Sequence, residues 1–203
     1  MPTLALILWG AFFVIALAGR VAVQLVIAGS TGLVGIGGTS GLAEWIGGAI
    51  FLGSLFAGIA AAILQATDTI EPIDALNGSA GYTIGIVLYA LGLAGTMWSQ
   101  LAMGQSWRFG VPEEPTELIT GGPFGLVRNP IYTAVITTVA GLVLLAPNIL
   151  AVAGLVGLVI GFEVHVRASE EPQLRRAHSE TYPGYAARVG RFMPGIGRIR
   201  AGS

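Results

Sequence analysis

The chain predicts an all-α, polytopic membrane protein, and three observations carry that prediction. Of its 203 residues, 54% are hydrophobic and only 10% charged, where a soluble domain carries about a quarter charged residues. Mean hydropathy is +0.77. The apolar residues gather in long runs broken by short polar links, and with no water in a bilayer core to satisfy backbone N–H and C=O groups, such runs must be helices. Cysteine is absent, which excludes disulfides and thiolate metal sites.

Five candidate spans follow in order: roughly Leu4 to Ala28, Leu42 to Leu64, Tyr82 to Met103, Ile131 to Ala146 and Ile149 to Val166. About 20 apolar residues cross a bilayer, so the first three are comfortable. The opening MPTLALILWGAFFVIALAGR lacks a basic n-region and a small-x-small cleavage site, so it reads as a retained span and not a signal peptide. The last two spans are short, separated only by Pro147 and Asn148, and read as a tight helical hairpin that does not reach fully through the membrane. Most of the 31 glycines, including Gly157 and Gly161 at small-xxx-small spacing, suit close helix packing in lipid. The stretch GIGGTSG, Gly35 to Gly41, resembles a dinucleotide loop. Ser40 replaces its third glycine and it lies between membrane helices, so it lacks the βαβ context that gives such a motif meaning.

Charge sets the orientation. All ten basic residues are arginine, and seven lie in 167–203 against Glu170, Glu171 and Glu180. The link before span three has Asp68, Glu71 and Asp74 but no arginine, whereas the link from Gly104 to Pro130 carries Arg108 and Arg128. The positive-inside rule makes the C-terminal segment and the 104–130 link cytoplasmic, and five spans then put the N-terminus outside. The expected location is the cytoplasmic (inner) membrane.

Polar residues thus collect on one side, in two places far apart in sequence that the hairpin brings together. They are Arg128, Asn129 and Tyr132, then Glu163, His165, Arg167, Glu170 and Glu171, then Tyr182, Tyr185 and Arg188. Ionisable residues at membrane depth are costly and are functional candidates by default. Arg167 and Glu170/Glu171, three and four apart, share a helix face. The set suits a zwitterion with a separate cation: arginine or free N–H groups for a carboxylate, glutamate or an aromatic face for a positive centre. The glycines before Pro130 let backbone approach a ligand, and Pro130 suits a first helical turn.

Other readings of the same residues are plain. Arg108 and Arg128 can be positive-inside anchors, and Arg175, Arg176, Arg188, Arg191, Arg198 and Arg200 a surface facing anionic lipid. Tyr182 and Tyr185 can be interfacial belt aromatics. Glu163, His165 and Glu170 fit no standard metal-ligand spacing.

The motifs Gly122-Pro123-Phe124, Arg128-Asn129-Pro130-Ile131-Tyr132, Glu170-Glu171-Pro172-Gln173-Leu174, Tyr182/Tyr185 and Arg188-Val189 with Phe192 and Pro194 resemble, in order, those of the integral-membrane methyltransferases. These are the isoprenylcysteine carboxyl methyltransferases and their phospholipid N-methyltransferase-like bacterial relatives. The likeness covers roughly residues 100–195. It divides the chain into N-terminal transmembrane helices, 1–80, and a methyltransferase core, 81–203. It implies S-adenosylmethionine as donor, held on the cytoplasmic side by Gly122, Pro123, Arg128, Asn129, Pro130, Tyr132, Glu170, Tyr182, Tyr185 and Arg188. It implies a lipophilic or amphipathic acceptor entering between helices among membrane lipids, facing Arg167 and Glu171 as the catalytic pair. It implies neither metal nor nucleic acid. Arg20 and Gln24, one turn apart in span one, either pair across helices or mark the acceptor entrance. The carboxyl methyltransferases differ in having histidine at the place of Asn129 and arginine at the place of Val166. Two other classes share some features: an NADPH-dependent membrane reductase of the sterol-reductase type, and a non-catalytic membrane scaffold.

Overall fold

The computed structural model describes residues 1–31, 42–107 and 117–199. Arg108, Arg200 and the glycine-rich stretch from Gly35 lie outside the described residues. Helices account for all the regular structure among the described residues, which hold no strands, only two isolated bridges. The helices are α1 (Pro2–Ala28), α2 (Leu42–Ala66), α3 (Ser79–Ala102), a short α4 (Pro123–Leu126), α5 (Pro130–Leu145), α6 (Ile149–Ala177) and α7 (Tyr182–Arg188). Four of them, α1, α2, α3 and α6, are long and apolar enough to cross a membrane. With 16 residues, α5 is about 24 Å long at 1.5 Å per residue, short of the ~30 Å hydrocarbon layer. The expected short fourth span is therefore present.

The fifth span, expected to be short, belongs to a helix long enough to cross a membrane, which continues past Val166 to Ala177 through a π-helical turn, Val166–Glu170. Pro172 explains the turn. Proline has no N–H and its ring collides with the carbonyl one turn back, and widening the preceding turn absorbs both conflicts without ending the helix. The N–H of Glu171 accordingly reaches back five residues to the carbonyl of Val166. A second π turn, Val14–Gly19, interrupts α1 just before Arg20.

Packing follows the small residues. The most extensive contacts pair α3 with α5 and α2 with α6. A Cβ on Gly141 would stand 2.5 Å from the carbonyl of Gly85 and 2.6 Å from the Tyr89 nitrogen, so α3 and α5 touch backbone to backbone. Gly157 and Gly161 face α2 as the small-residue spacing predicts: a Cβ at 161 would lie 3.1 Å from the Phe51 nitrogen. On the acidic-link side, Asn148 caps α6 by accepting from the Ala151 N–H at 2.9 Å. Its amide also donates to the Ala61 carbonyl and to Gln65 Oε1, and Pro147 accepts from the Ile73 N–H at 2.6 Å. The tight hairpin is thus pinned to the end of α2 and to the acidic link, and its open ends, Pro130 and His165, point to the arginine-rich face.

Candidate active site

Here the chain returns on itself. Leading into α5, the backbone pairs with residues far downstream: the N–H of Arg128 donates to the Gly190 carbonyl at 2.8 Å and that of Asn129 to the Arg191 carbonyl at 3.0 Å. Thr133 Oγ1 donates to the Phe192 carbonyl at 2.8 Å. The return is tight because of its glycines. Gly195 and Gly197 have φ of 79° and 75°, a region that side-chain-bearing residues rarely adopt, and a Cβ at Gly190 would collide with the Met193 carbonyl.

Arg128 is the hub of this knot and only 6% exposed. Its Nη1 donates to the carbonyls of Ala186 (3.0 Å) and Val189 (2.8 Å), and its Nη2 to Gly197 (3.0 Å) and to Glu171 Oε1 (2.7 Å). Glu171, also buried, takes two further bonds from Arg191, at 2.8 and 3.0 Å. Arg191 also donates to Glu163 at 3.0 Å. The hydrogen bonds from Arg191 to Glu171 hold its guanidinium pKa above the ordinary arginine value, against the opposing effect of burial. One carboxylate lies between two arginines, and backbone carbonyls take the other donors of both Arg128 Nη groups, leaving only its buried Nε without a partner. This comes close to the condition under which a buried ion pair is tolerated.

Tyr182 and Tyr185 complete the frame. Burial pushes both phenols up to about 12, so both keep their protons, and Tyr185 donates its own to the Phe124 carbonyl at 2.7 Å. That bond ties α7 to the Gly122-Pro123-Phe124 turn, where Pro123 is buried and Gly122 has φ of 58°.

A second, more open group stands beside the frame. Tyr132, in the first turns of α5, donates its hydroxyl proton to Glu170 Oε1. His165 Nε2 lies 3.4 Å from the same oxygen, with the two side chains 24% and 27% exposed. Phe162 stacks on the Tyr132 ring at 4.4 Å, and the His165 ring meets that ring edge-on at 6.4 Å.

The structure therefore brings together Arg128, Asn129, Pro130, Tyr132, Glu170, Glu171, Tyr182 and Tyr185, but sorts them differently from the sequence expectation. Arg167 does not pair with Glu171. It reaches back one turn to Glu163, and its side chain is 61% exposed, because the π turn changes the register between the two residues. Glu171 is enclosed between Arg128 and Arg191 instead. The side-chain amide of Asn129 donates to the Arg191 carbonyl at 3.2 Å, so it belongs to the seam between the two segments. Arg188 is exposed at the end of α7. Arg191 corrects the reading of the C-terminal arginines as a lipid-facing surface: it is 9% exposed. Its signal in sequence was the run GRFMPGIG, whose glycines mark a chain folding back. Phe162, read only as apolar span, lines the open group.

A family model, Phospholipid methyltransferase, matches residues 80–181, taking in α3, α5, α6 and all of the Tyr132, His165, Glu170 and Glu171 positions. No curated protein and no solved structure matches the chain. The model covers half of the sequence, from the third span to the segment that ends at α7, and the chain belongs to the phospholipid methyltransferase family.

Proposed function

We propose that the protein transfers a methyl group from S-adenosylmethionine to a lipid-type acceptor at the arginine-rich face of the membrane, which the positive-inside rule makes cytoplasmic. The observation that carries this reading is the half-open Tyr132–Glu170–His165 group, seated on a frame whose own charges are already matched.

The residues present fit such a donor. A Cβ at Gly121 or Gly122 would meet no atom within 4 Å, so backbone there can approach a ligand closely. Glu170 offers a partly exposed carboxylate to a positive centre, the stacked rings of Tyr132 and Phe162 offer aromatic faces, and exposed Arg188 suits the donor's carboxylate. Bound S-adenosylmethionine supplies a methyl group on a sulfonium, whose carbon–sulfur electron pair returns to sulfur as the acceptor's lone pair forms the new bond. Glu170 holds its charge in place because Tyr132 and His165 both fix the same oxygen. His165 is positioned to take the proton that an amine acceptor releases. Most of the remaining help is orientation of two bound groups in a dry interfacial pocket.

A nicotinamide reductase is less well served. Phosphate-rich cofactors need free cations, and the buried arginines of this site, Arg128 and Arg191, are already engaged by Glu171, Glu163 and backbone carbonyls. Membranes holding the protein, supplied with methyl-labelled S-adenosylmethionine, are expected to accumulate label in the lipid extract. Glu170→Gln is expected to abolish it. Equal labelling in the variant, or label absent with wild type, would overturn this reading.

A further inference from the structure

We propose that Arg20 is a subsite for the phosphodiester of a phospholipid, on the arginine-rich face where α1 meets the turn that follows α3. This rests on the lipid-acceptor reading above and assigns the place where the acceptor's phosphate is held.

Arg20 is 0% exposed within an apolar span. Its Nη2 donates to the Gly104 carbonyl at 2.6 Å, and its guanidinium lies 4.8 Å above the Trp107 ring. Nε and Nη1, which carry most of its N–H donors, have no partner, and no carboxylate among the described residues pairs with it. An unmatched buried cation is among the costliest groups a membrane helix can hold. The surrounding side chains are unmatched in the opposite sense. Gln24, also 0% exposed, donates to the Gln105 carbonyl at 2.9 Å while its Oε1 has no donor. Gln100 donates to the Ala16 carbonyl at 2.9 Å and likewise leaves Oε1 unpartnered.

Spare cationic donors beside spare amide acceptors suit a group that is both anionic and able to donate hydrogen bonds. A phospholipid headgroup with an ammonium or hydroxyl next to its phosphodiester has that pattern. The depth agrees: Gly104 lies just past the end of α3 at Ala102, where the chain leaves the apolar layer and lipid phosphates lie. The Gly104–Ser106 turn that follows α3 touches the second half of α1, and α3 itself packs against α4 and α5. The π turn just before Arg20 supports a built feature, since such turns gather at functional positions.

The test compares wild type, Arg20→Met, Arg20→Lys and Gln24→Leu in phosphate-free detergent. The probes are short-chain phosphatidylethanolamine, diacylglycerol with the same acyl chains, and inorganic phosphate. In lipid-free detergent Arg20→Met is expected to be at least as stable as wild type, because it removes an unmatched charge. Phosphatidylethanolamine is expected to bind wild type and raise its Tm, to bind Arg20→Met about tenfold more weakly or worse, and to retain most of its affinity for Arg20→Lys. Gln24→Leu is expected to lose affinity several-fold, which keeps the proposal testable if Arg20→Met fails to fold. Diacylglycerol and inorganic phosphate alone are expected to do neither.

Undiminished phosphatidylethanolamine binding in folded Arg20→Met, or in Gln24→Leu if Arg20→Met fails to fold, would overturn the proposal. Binding of inorganic phosphate as tight as that of lipid would make the ligand a free anion. Unchanged lipid binding alongside a shared loss of stability in Arg20→Met and Glu113→Gln/Glu114→Gln would show that the partner is a carboxylate of this chain. S-adenosylhomocysteine binding, measured in parallel, separates the two claims: lipid held at Arg20 without it overturns the donor reading alone, and the reverse overturns the subsite alone.

Discussion

Two neighbouring glutamates, Glu170 and Glu171, have opposite surroundings and so different work. Glu171 is buried between Arg128 and Arg191, whereas Glu170 keeps a side chain 27% exposed. Removing one member of a buried ion pair leaves the other charge unmatched, at a cost of about 3–5 kcal/mol. Arg128→Ala is therefore expected to unfold the protein or lower its Tm sharply in detergent, read by thermal melting. Glu170→Ala is expected to leave the Tm within a few degrees and to act on donor binding instead. If Arg128→Ala melted like wild type, Arg128 would not be the structural hub. Sequence alone singled out this Arg-Asn-Pro and Glu-Glu cluster as a candidate site. It could not show which carboxylate each arginine meets, because that depends on the return of residues 188–199 over the start of α5.

At the scale of the element, the π turn of α6 sets where Glu170 points. Pro172 demands that turn, since an α-helical continuation would leave its ring against the carbonyl one turn back. Pro172→Ala is expected to raise or preserve the Tm, as the helix gains a hydrogen bond, and to weaken donor binding several-fold, about 1 kcal/mol, as Glu170 rotates away from Tyr132. Calorimetry on the variant checks it, and unchanged affinity would mean that the widened turn is incidental. Hydropathy ends the span at Val166 and the spacing puts Arg167 and Glu170/Glu171 on one face of the helix leaving it; the widening of the Val166–Glu170 turn leaves no trace in hydropathy. The spans themselves were legible because lipid permits so few solutions.

For the molecule as a whole, α7 and the C-terminal return are the clasp over the site. Deleting residues 189–203 removes Arg191 and two of the carbonyls that hold Arg128, and donor binding is expected to vanish while the α2–α6 and α3–α5 packing persists as a helical circular-dichroism signal. Alkali should loosen the same clasp. Tyr182 and Tyr185 ionise near 12 when folded but near 10 when unfolded, so the unfolded chain releases these protons first and stability falls as pH rises from about 10 towards 12. Tyr185→Phe is expected to shallow that fall. The acidic link and the arginine-rich C-terminus made the two faces legible from composition; the clasp was not, because the arginine that closes it, Arg191, looks in sequence like its solvent-facing neighbours.

The central claim is a donor pocket resting on Glu170, and calorimetric binding of S-adenosylhomocysteine to the detergent-purified protein, with NADPH as comparison, tests it most directly. The account predicts micromolar binding of S-adenosylhomocysteine alone, lost in Glu170→Ala at unchanged Tm. Binding of NADPH instead, or S-adenosylhomocysteine binding indifferent to Glu170, would contradict it.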